Sequence, residues 1–199
     1  MAEVRRAGPA DFQSAARLLH HSAADMYDRF AGGRGRALRL LERSLAETGN
    51  ASSADVVWVA ELDGRVAAAM AAFPVDEAVK RSSSFLRLAL RHAPPWRWPE
   101  ALLLYWLGSR AAPSPPAPGF YVDALATDPS FRRRGAASAL LAEAERQARV
   151  RGLPAVALDT TVGNEEARAL YAREGFEEVA YRPPARGLPG FVALVKPLG

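Results

Sequence analysis

The chain has 199 residues, 49% of them apolar, a net charge of +4 and no cysteine. That length and apolar fraction suit a single globular domain spanning 1–199, and the missing cysteine excludes disulfides, thiolate metal sites and a cysteine nucleophile. All but two of the 26 basic residues are arginine, an excess that suits a polyanionic partner and leaves nucleic acid and coenzyme A both open.

Residues 1–10 carry Glu3, Arg5 and Arg6 with no apolar run behind them, unlike a signal peptide. The most apolar stretch, 101–108, is too short to cross a bilayer, so a soluble, cytoplasmic protein with no membrane partner is expected. Val4 to Arg6 is a short strand candidate. Pro9-Ala10-Asp11 then opens a helix with Phe12, Ala15, Leu18 and Leu19 on one face. His20, His21 and His92 lack a metal-ligand spacing. Adjacent helical residues point apart, so His20 and His21 read as surface positions and no metal is expected. Leu38, Leu41 and Leu45 mark a second helix between Arg36 and Glu47, ended by Gly-Asn-Ala-Ser-Ser after Thr48. Asp55–Leu62 and Arg65–Phe73 flank Asp63-Gly64, the pair a type I′ hairpin turn demands.

From Asp76 to Gly119 arginines and large apolar residues mix in helical patterns broken by prolines, which predicts an insertion at about 76–119 of two helices and a proline-rich connector. Trp96, Trp98, Tyr105 and Trp106 read as core at this spacing, with a pocket lining as the alternative. Regular alternation follows: strand Phe120–Thr127, helix Arg134–Arg151, strand Ala155–Asp159, helix Glu165–Glu174, then strand-like Phe176–Tyr181 and Gly190–Val195. That order indicates an α/β or α+β sheet with helices on its faces.

The informative unit is the first of these strands with the loop Arg132-Arg133-Arg134-Gly135-Ala136-Ala137 and the helix behind it, whose Ala137, Leu140, Leu141, Ala144 and Ala148 form an apolar stripe. The first amides of a helix have no partner inside it and carry partial positive charge. With small side chains at the entry they suit a pyrophosphate, and the arginines add attraction for an anion. The same residues also fit a solvated surface and close helix packing. In the second unit, Asn164 fits an N-cap, Glu165 and Glu166 suit the helix dipole, and Gly175 supplies a left-handed stop. Asn164, Ala167 and Tyr171 share one face of that helix.

Together the two units resemble the core of the GNAT acetyltransferase superfamily: Val122-Asp123-Ala124-Leu125-Ala126-Thr127-Asp128-Pro129, the R-x-x-G-x-A loop at Arg132–Ala137, and Asn164, Ala167, Leu170-Tyr171 and Gly175-Phe176. Ala137 stands where many members carry glycine, and Thr127 where valine is common. The resemblance implies a mixed, mostly antiparallel central sheet whose strands Tyr121–Thr127 and Ala155–Asp159 splay apart, flanked by helices, with acetyl-CoA as co-substrate. It further implies that the main chain of Leu125 and Thr127 pairs with the pantetheine amides, and that Arg132, Arg133, Arg134, Gly135, Ala136, Ala137 and Ser138 enclose the pyrophosphate. Asn164 would contact the cofactor arm on the helix face it shares with Ala167, and Tyr171 would point at the thioester sulfur.

Direct transfer to a primary amine in a ternary complex is expected, since no Ser-His arrangement suggests a covalent intermediate. A backbone N–H near Ala126 or Thr127 would polarise the carbonyl and Tyr171 would protonate the thiolate. Asp123 lies two residues before Leu125 and so shares its face, which makes it the candidate base or, equally, a partner for a backbone group or the substrate's charge. The acceptor stays open among small-molecule and peptide amines: antibiotic, polyamine, amino acid, peptide N-terminus or protein lysine. Its selection would fall to the helices between Ser22 and Glu47, the 76–119 insertion and the 182–190 loop. A homodimer fits. A catalytically idle acyl-CoA sensor is one alternative. A nucleic-acid-binding domain is a weaker one, because no RNA- or DNA-binding signature accompanies the arginines.

Overall fold

A computed structural model describes residues 2–111, 113–185 and 187–199. Its centre is a seven-stranded sheet in the order β1-β2-β3-β4-β5-β7-β6. The strands are β1 (Glu3–Arg6), β2 (Val57–Leu62), β3 (Arg65–Pro74), β4 (Phe120–Thr127), β5 (Ala155–Thr161), β6 (Glu177–Arg182) and β7 (Phe191–Pro197). Every pairing is antiparallel except β4 with β5, which are joined through α6 (Ala136–Val150) as parallel neighbours must be by a crossover. The mixed, mostly antiparallel sheet matches the expectation. Asp63 and Gly64 both take positive φ, 53° and 71°, which is the type I′ geometry their sequence demands.

Both faces of the sheet are covered at its centre, and β3 shows it most directly, while the edge strand β6 is exposed throughout. Seven consecutive residues, Ala67–Phe73, are buried with no polar alternation. Ala68, Met70 and Ala72 pack with Leu140, Leu141, Ala144 and Ala148 of α6, while Ala69 and Ala71 meet Ala15, Leu19, Leu41 and Leu45. The latter come from α1 (Phe12–Ser22) and α3 (Arg34–Ala46). Alanine on both faces lets helices approach the central strand closely. The predicted stripe of α6 holds from Leu140 on, but Ala136 rather than Ala137 is its buried first member.

Three expectations need correction. His20 is not a surface residue: it is buried, and its Nε2 lies 2.7 Å from Asp28 Oδ1. Asp28 belongs to α2 (Ala24–Ala31), one of the helices expected between Ser22 and Glu47, none of whose residues is fully buried. Trp96, Trp98 and Trp106 are 81%, 43% and 42% exposed, so they are not core. They flank or belong to α5 (Trp98–Ala111), which with α4 (Ala78–His92) forms the predicted helix pair. The run after α3 is more than a terminator. Asn50 is buried there, accepting from Ser44 Oγ at 2.6 Å and Ser52 N at 2.9 Å and donating to Ser44 O at 3.0 Å. Asn50→Ala strands those groups without water and is expected to cost about 2 kcal/mol, measurable as a lower urea midpoint with unchanged slope.

Candidate active site

The parallel pairing of β4 with β5 lasts three steps, Phe120↔Val156, Tyr121↔Ala157 and Val122↔Leu158, and then stops. Beyond it β4 stays paired with β3 through Thr127, and β5 with β7 through Thr161. The two strands therefore fork, and among the described residues the β5-facing main chain of β4 past Val122 has no strand partner. A bulge begins the fork. The register steps from Ala72↔Val122 to Ala71↔Ala124, which leaves Asp123 as an extra residue. The cores confirm the change of phase: Phe120 and Val122 pack toward α6, but Ala124 and Ala126 pack toward α1 and α3. The two-residue period that assigned Asp123 to the face of Leu125 is thus broken, since Leu125 packs toward α6 like Val122.

Past β4, Asp128 Oδ1 accepts from Ser130 N at 2.9 Å and turns the chain through residues 129–131 into the loop before α6. Arg133 and Gly135 take positive φ, 60° and 82°, and a Cβ at Gly135 would meet no atom within 4 Å. The first α6 amide bonded within the chain is Ala139, to Gly135 O at 3.0 Å. Among the described residues, those of Gly135, Ala136, Ala137 and Ser138 have no acceptor. Four free amides at an open helix start are what an anion requires. The guanidiniums are more dispersed than the sequence implies. Arg132 pairs with Glu166 at 3.2 Å, and Arg134 with Asp63 of the hairpin turn at 2.7 Å. Both pairs are exposed and therefore weak. The Ser138 hydroxyl donates to Glu174 Oε1 at 2.6 Å, leaving only its amide for a ligand.

Helix α7 (Glu165–Arg173) closes the other side of the fork. Asn164 caps it, accepting from Ala167 N at 3.3 Å and donating through Nδ2 to Thr160 Oγ1 at 3.1 Å, which ties the helix start to the end of β5. Ala167 packs at the margin of the α6-side core. Tyr171 is only 6% exposed and its ring lies 5.9 Å from Phe176. Among the described residues its hydroxyl makes no hydrogen bond. Burial, aided by the charge of Asp159, raises that hydroxyl to about 12.

Asp123 retains contact with water at the mouth of the fork while protein crowds its other sides. This crowding, and then the charge of Asp159, pushes its carboxyl up to about 7. Asp159 is also raised by burial, opposed by a hydrogen bond donated by the Tyr121 hydroxyl. Tyr121 and Tyr27 are both driven upward, chiefly by burial and then by nearby aspartates: Asp159 and Asp123 for Tyr121, Asp123 for Tyr27. Tyr27, Tyr121 and Asp159 were not among the residues singled out from sequence. A Tyr and an Asp at the ends of strands give no signal until the register shows that Asp123 and Asp159 each follow the last parallel pair.

A cavity of about 480 Å³ lined by Arg5, Asp11, Arg17, His21, Glu61 and Asp128, among others, includes none of the candidate site residues. Among the described residues no cluster of three His, Cys, Asp or Glu side chains could hold a metal, and no helix is long and apolar enough to cross a membrane.

A family model described as the acetyltransferase (GNAT) family matches residues 25–176, which span β2 to β5 and the whole fork. Curated proteins yield no significant sequence match. Among solved structures, an N-acetyltransferase from Staphylococcus aureus superposes with a TM-score of 0.75 at 20% identity, over 98% of this chain and 100% of the other. A polyamine N-acetyltransferase from Drosophila melanogaster, which forms N-acetylagmatine, superposes with a TM-score of 0.58 at 19% identity over 100% of both chains. These two likenesses are evidence of a shared fold. With the family model covering the fork and the loop that leads into α6, the chain belongs to the GNAT family of acetyltransferases.

Proposed function

We propose that the chain transfers an acetyl group from acetyl-CoA to a primary amine by direct attack in a ternary complex. The observation that carries this reading is the fork: β4 main chain from Asp123 on with no partner on its β5 side, followed past the turn at 129–131 by the four free amides of the α6 start. The residues fit the co-substrate at both ends. The α6 amides of Gly135, Ala136, Ala137 and Ser138, beside Arg132, Arg133 and Arg134, would take the diphosphate, and the open space at Gly135 lets it approach. Main-chain groups of Leu125 and Thr127 would pair with the pantetheine amides, and an N–H at Ala126 or Thr127 would donate to the carbonyl oxygen as charge develops there. Asn164 and Ala167 would border the arm. The thioester supplies an activated acyl carbon.

The C–N bond forms as the C–S bond breaks. The reacting nitrogen must first lose an ammonium proton, which Asp123 accepts through a water. Tyr171 donates its hydroxyl proton to the departing thiolate and regains one from the new amide nitrogen. A tyrosine held near 12 stays protonated at working pH and so can donate. Asp123 acts as acceptor only when ionised. With its carboxyl near 7, kcat/KM is expected to fall as pH drops through about 7. In Asp123→Asn that acidic limb should vanish, with kcat/KM at pH 8 reduced about a hundredfold. An Asn variant that keeps the wild-type limb would remove Asp123 from the role. The reading as a whole is tested by calorimetry with acetyl-CoA, followed by mass spectrometry of an amine panel. Binding with no acetylated product would leave a catalytically idle acyl-CoA-binding protein.

A further inference from the structure

The fork contains more negative charge than a single base requires. Asp123 and Asp159 are the first residues past the last parallel pair, one on each strand, so both carboxylates stand where the strands part. In a chain of net charge +4 neither has an arginine or lysine partner among the described residues, and no cation offsets either one. Among the described residues, Asp159 has only the Tyr121 hydroxyl. Asp123 touches water on one side and Asp159 is largely enclosed, and two neighbouring carboxylates without a cation are poorly compensated until a positive ligand arrives. Tyr171 supplies an independent sign that this space is built for a ligand. It is a side chain 6% exposed, close enough to feel the charge of Asp159, with a hydroxyl that has no hydrogen-bond partner among the described residues.

Two more tyrosines lie close enough to Asp123 to feel its charge. Tyr27 comes from α2 and Tyr121 from β4, with Tyr121 stacked edge-on against Phe73 at 6.0 Å and Tyr27 against Phe85 at 6.3 Å. The titratable groups facing the space are thus Tyr27, Tyr121, Asp123, Asp159 and Tyr171, none of them cationic. Aromatic faces and carboxylates together favour an ammonium. Three of the five arginines in the 76–119 region are paired with carboxylates: Arg81 with Asp55 and Glu77, Arg91 with Glu47, and Arg97 with Glu100.

We propose that the acceptor is an alkylammonium ion with no carboxylate beside its reacting nitrogen, held between Asp123 and Asp159, and that Asp159 determines this preference. The assignment rests on the acetyl-transfer reading above. Asp159 acts by charge rather than by taking the proton, so its removal should fall on KM. The test compares hexylamine with 2-aminoheptanoate, which differ in the carboxylate next to the amine, at saturating acetyl-CoA whose binding is confirmed separately by calorimetry. Wild-type kcat/KM is expected to favour hexylamine by at least about tenfold. In Asp159→Asn the ratio should contract to within about threefold, through a higher KM for hexylamine, and Asp159→Glu should restore it. Equal efficiency with the two amines in the wild type overturns the assignment, and so does an unchanged ratio in a folded Asp159→Asn protein. The wild-type comparison decides even where the variant does not fold. Failure to bind acetyl-CoA at all would instead sink the transfer reading itself.

Discussion

A Tyr171→Phe enzyme is expected to bind acetyl-CoA normally and to lose about a hundredfold in kcat. The ring is nearly fully buried against Phe176 in the α6-side core, and phenylalanine fills the same volume, so folding should be spared. What disappears is one hydroxyl with no hydrogen-bond partner among the described residues, so no protein acceptor is left stranded. The loss should appear in kcat and kcat/KM alike, the mark of an interaction made in the transition state. Acetyl esters of thiols with lower pKa need less proton donation, and the variant should recover part of its rate with them. Full turnover by Tyr171→Phe would assign protonation of the thiolate to another group or to water.

Gly135→Asp should weaken acetyl-CoA about a hundredfold while leaving the protein folded. Gly135 is the N-cap of α6 at φ 82°, a left-handed conformation that aspartate tolerates better than most side chains. The new carboxylate can accept from the amides of Ala137 or Ser138, which offsets part of the backbone strain. It then occupies the place of the incoming anion and repels it. Gly135→Ala is the control: alanine pays the strain, about 1 kcal/mol, but has no charge and meets no atom within 4 Å. Its melting temperature should fall while its acetyl-CoA affinity stays within about threefold of wild type. If Gly135→Asp kept its affinity, the diphosphate would have to sit elsewhere.

The pH dependence of folding should carry the mark of the same fork. Asp123 has a folded-state carboxyl raised above its unfolded value, so the folded chain holds that proton more tightly and stability falls as pH rises toward and through about 7. Asp123→Asn removes the penalty and should stabilise the protein at pH 8 but not at pH 3. Water reaches one side of this carboxylate, which discounts the gain to about 1 kcal/mol.

Much of this molecule was legible without coordinates because its signals are local. The Asp63-Gly64 turn, the Asn164 cap, the α6 stripe and the glycine ahead of α6 each depend on a few neighbouring residues whose backbone preferences or spacing act alone. Trp96, Trp98 and Trp106 misled the reading because helical spacing records which residues share a face, and only packing decides whether another element covers it. His20 failed for the related reason that its partner, Asp28, lies on a helix with no buried stripe of its own.

By its own order of residues the chain determined the alternation of strands and helices, the hairpin, and the small-residue entry to α6, since propensity, turn chemistry and capping operate over a few residues. Only the tertiary structure decided where β4 leaves β5, that Asp123 drops out of the strand's alternation, and that it meets Asp159, Tyr121 and Tyr27 at the fork. Those facts are set by register between segments far apart in the chain. A register shift of one residue reverses which side chains face one another without altering any local pattern.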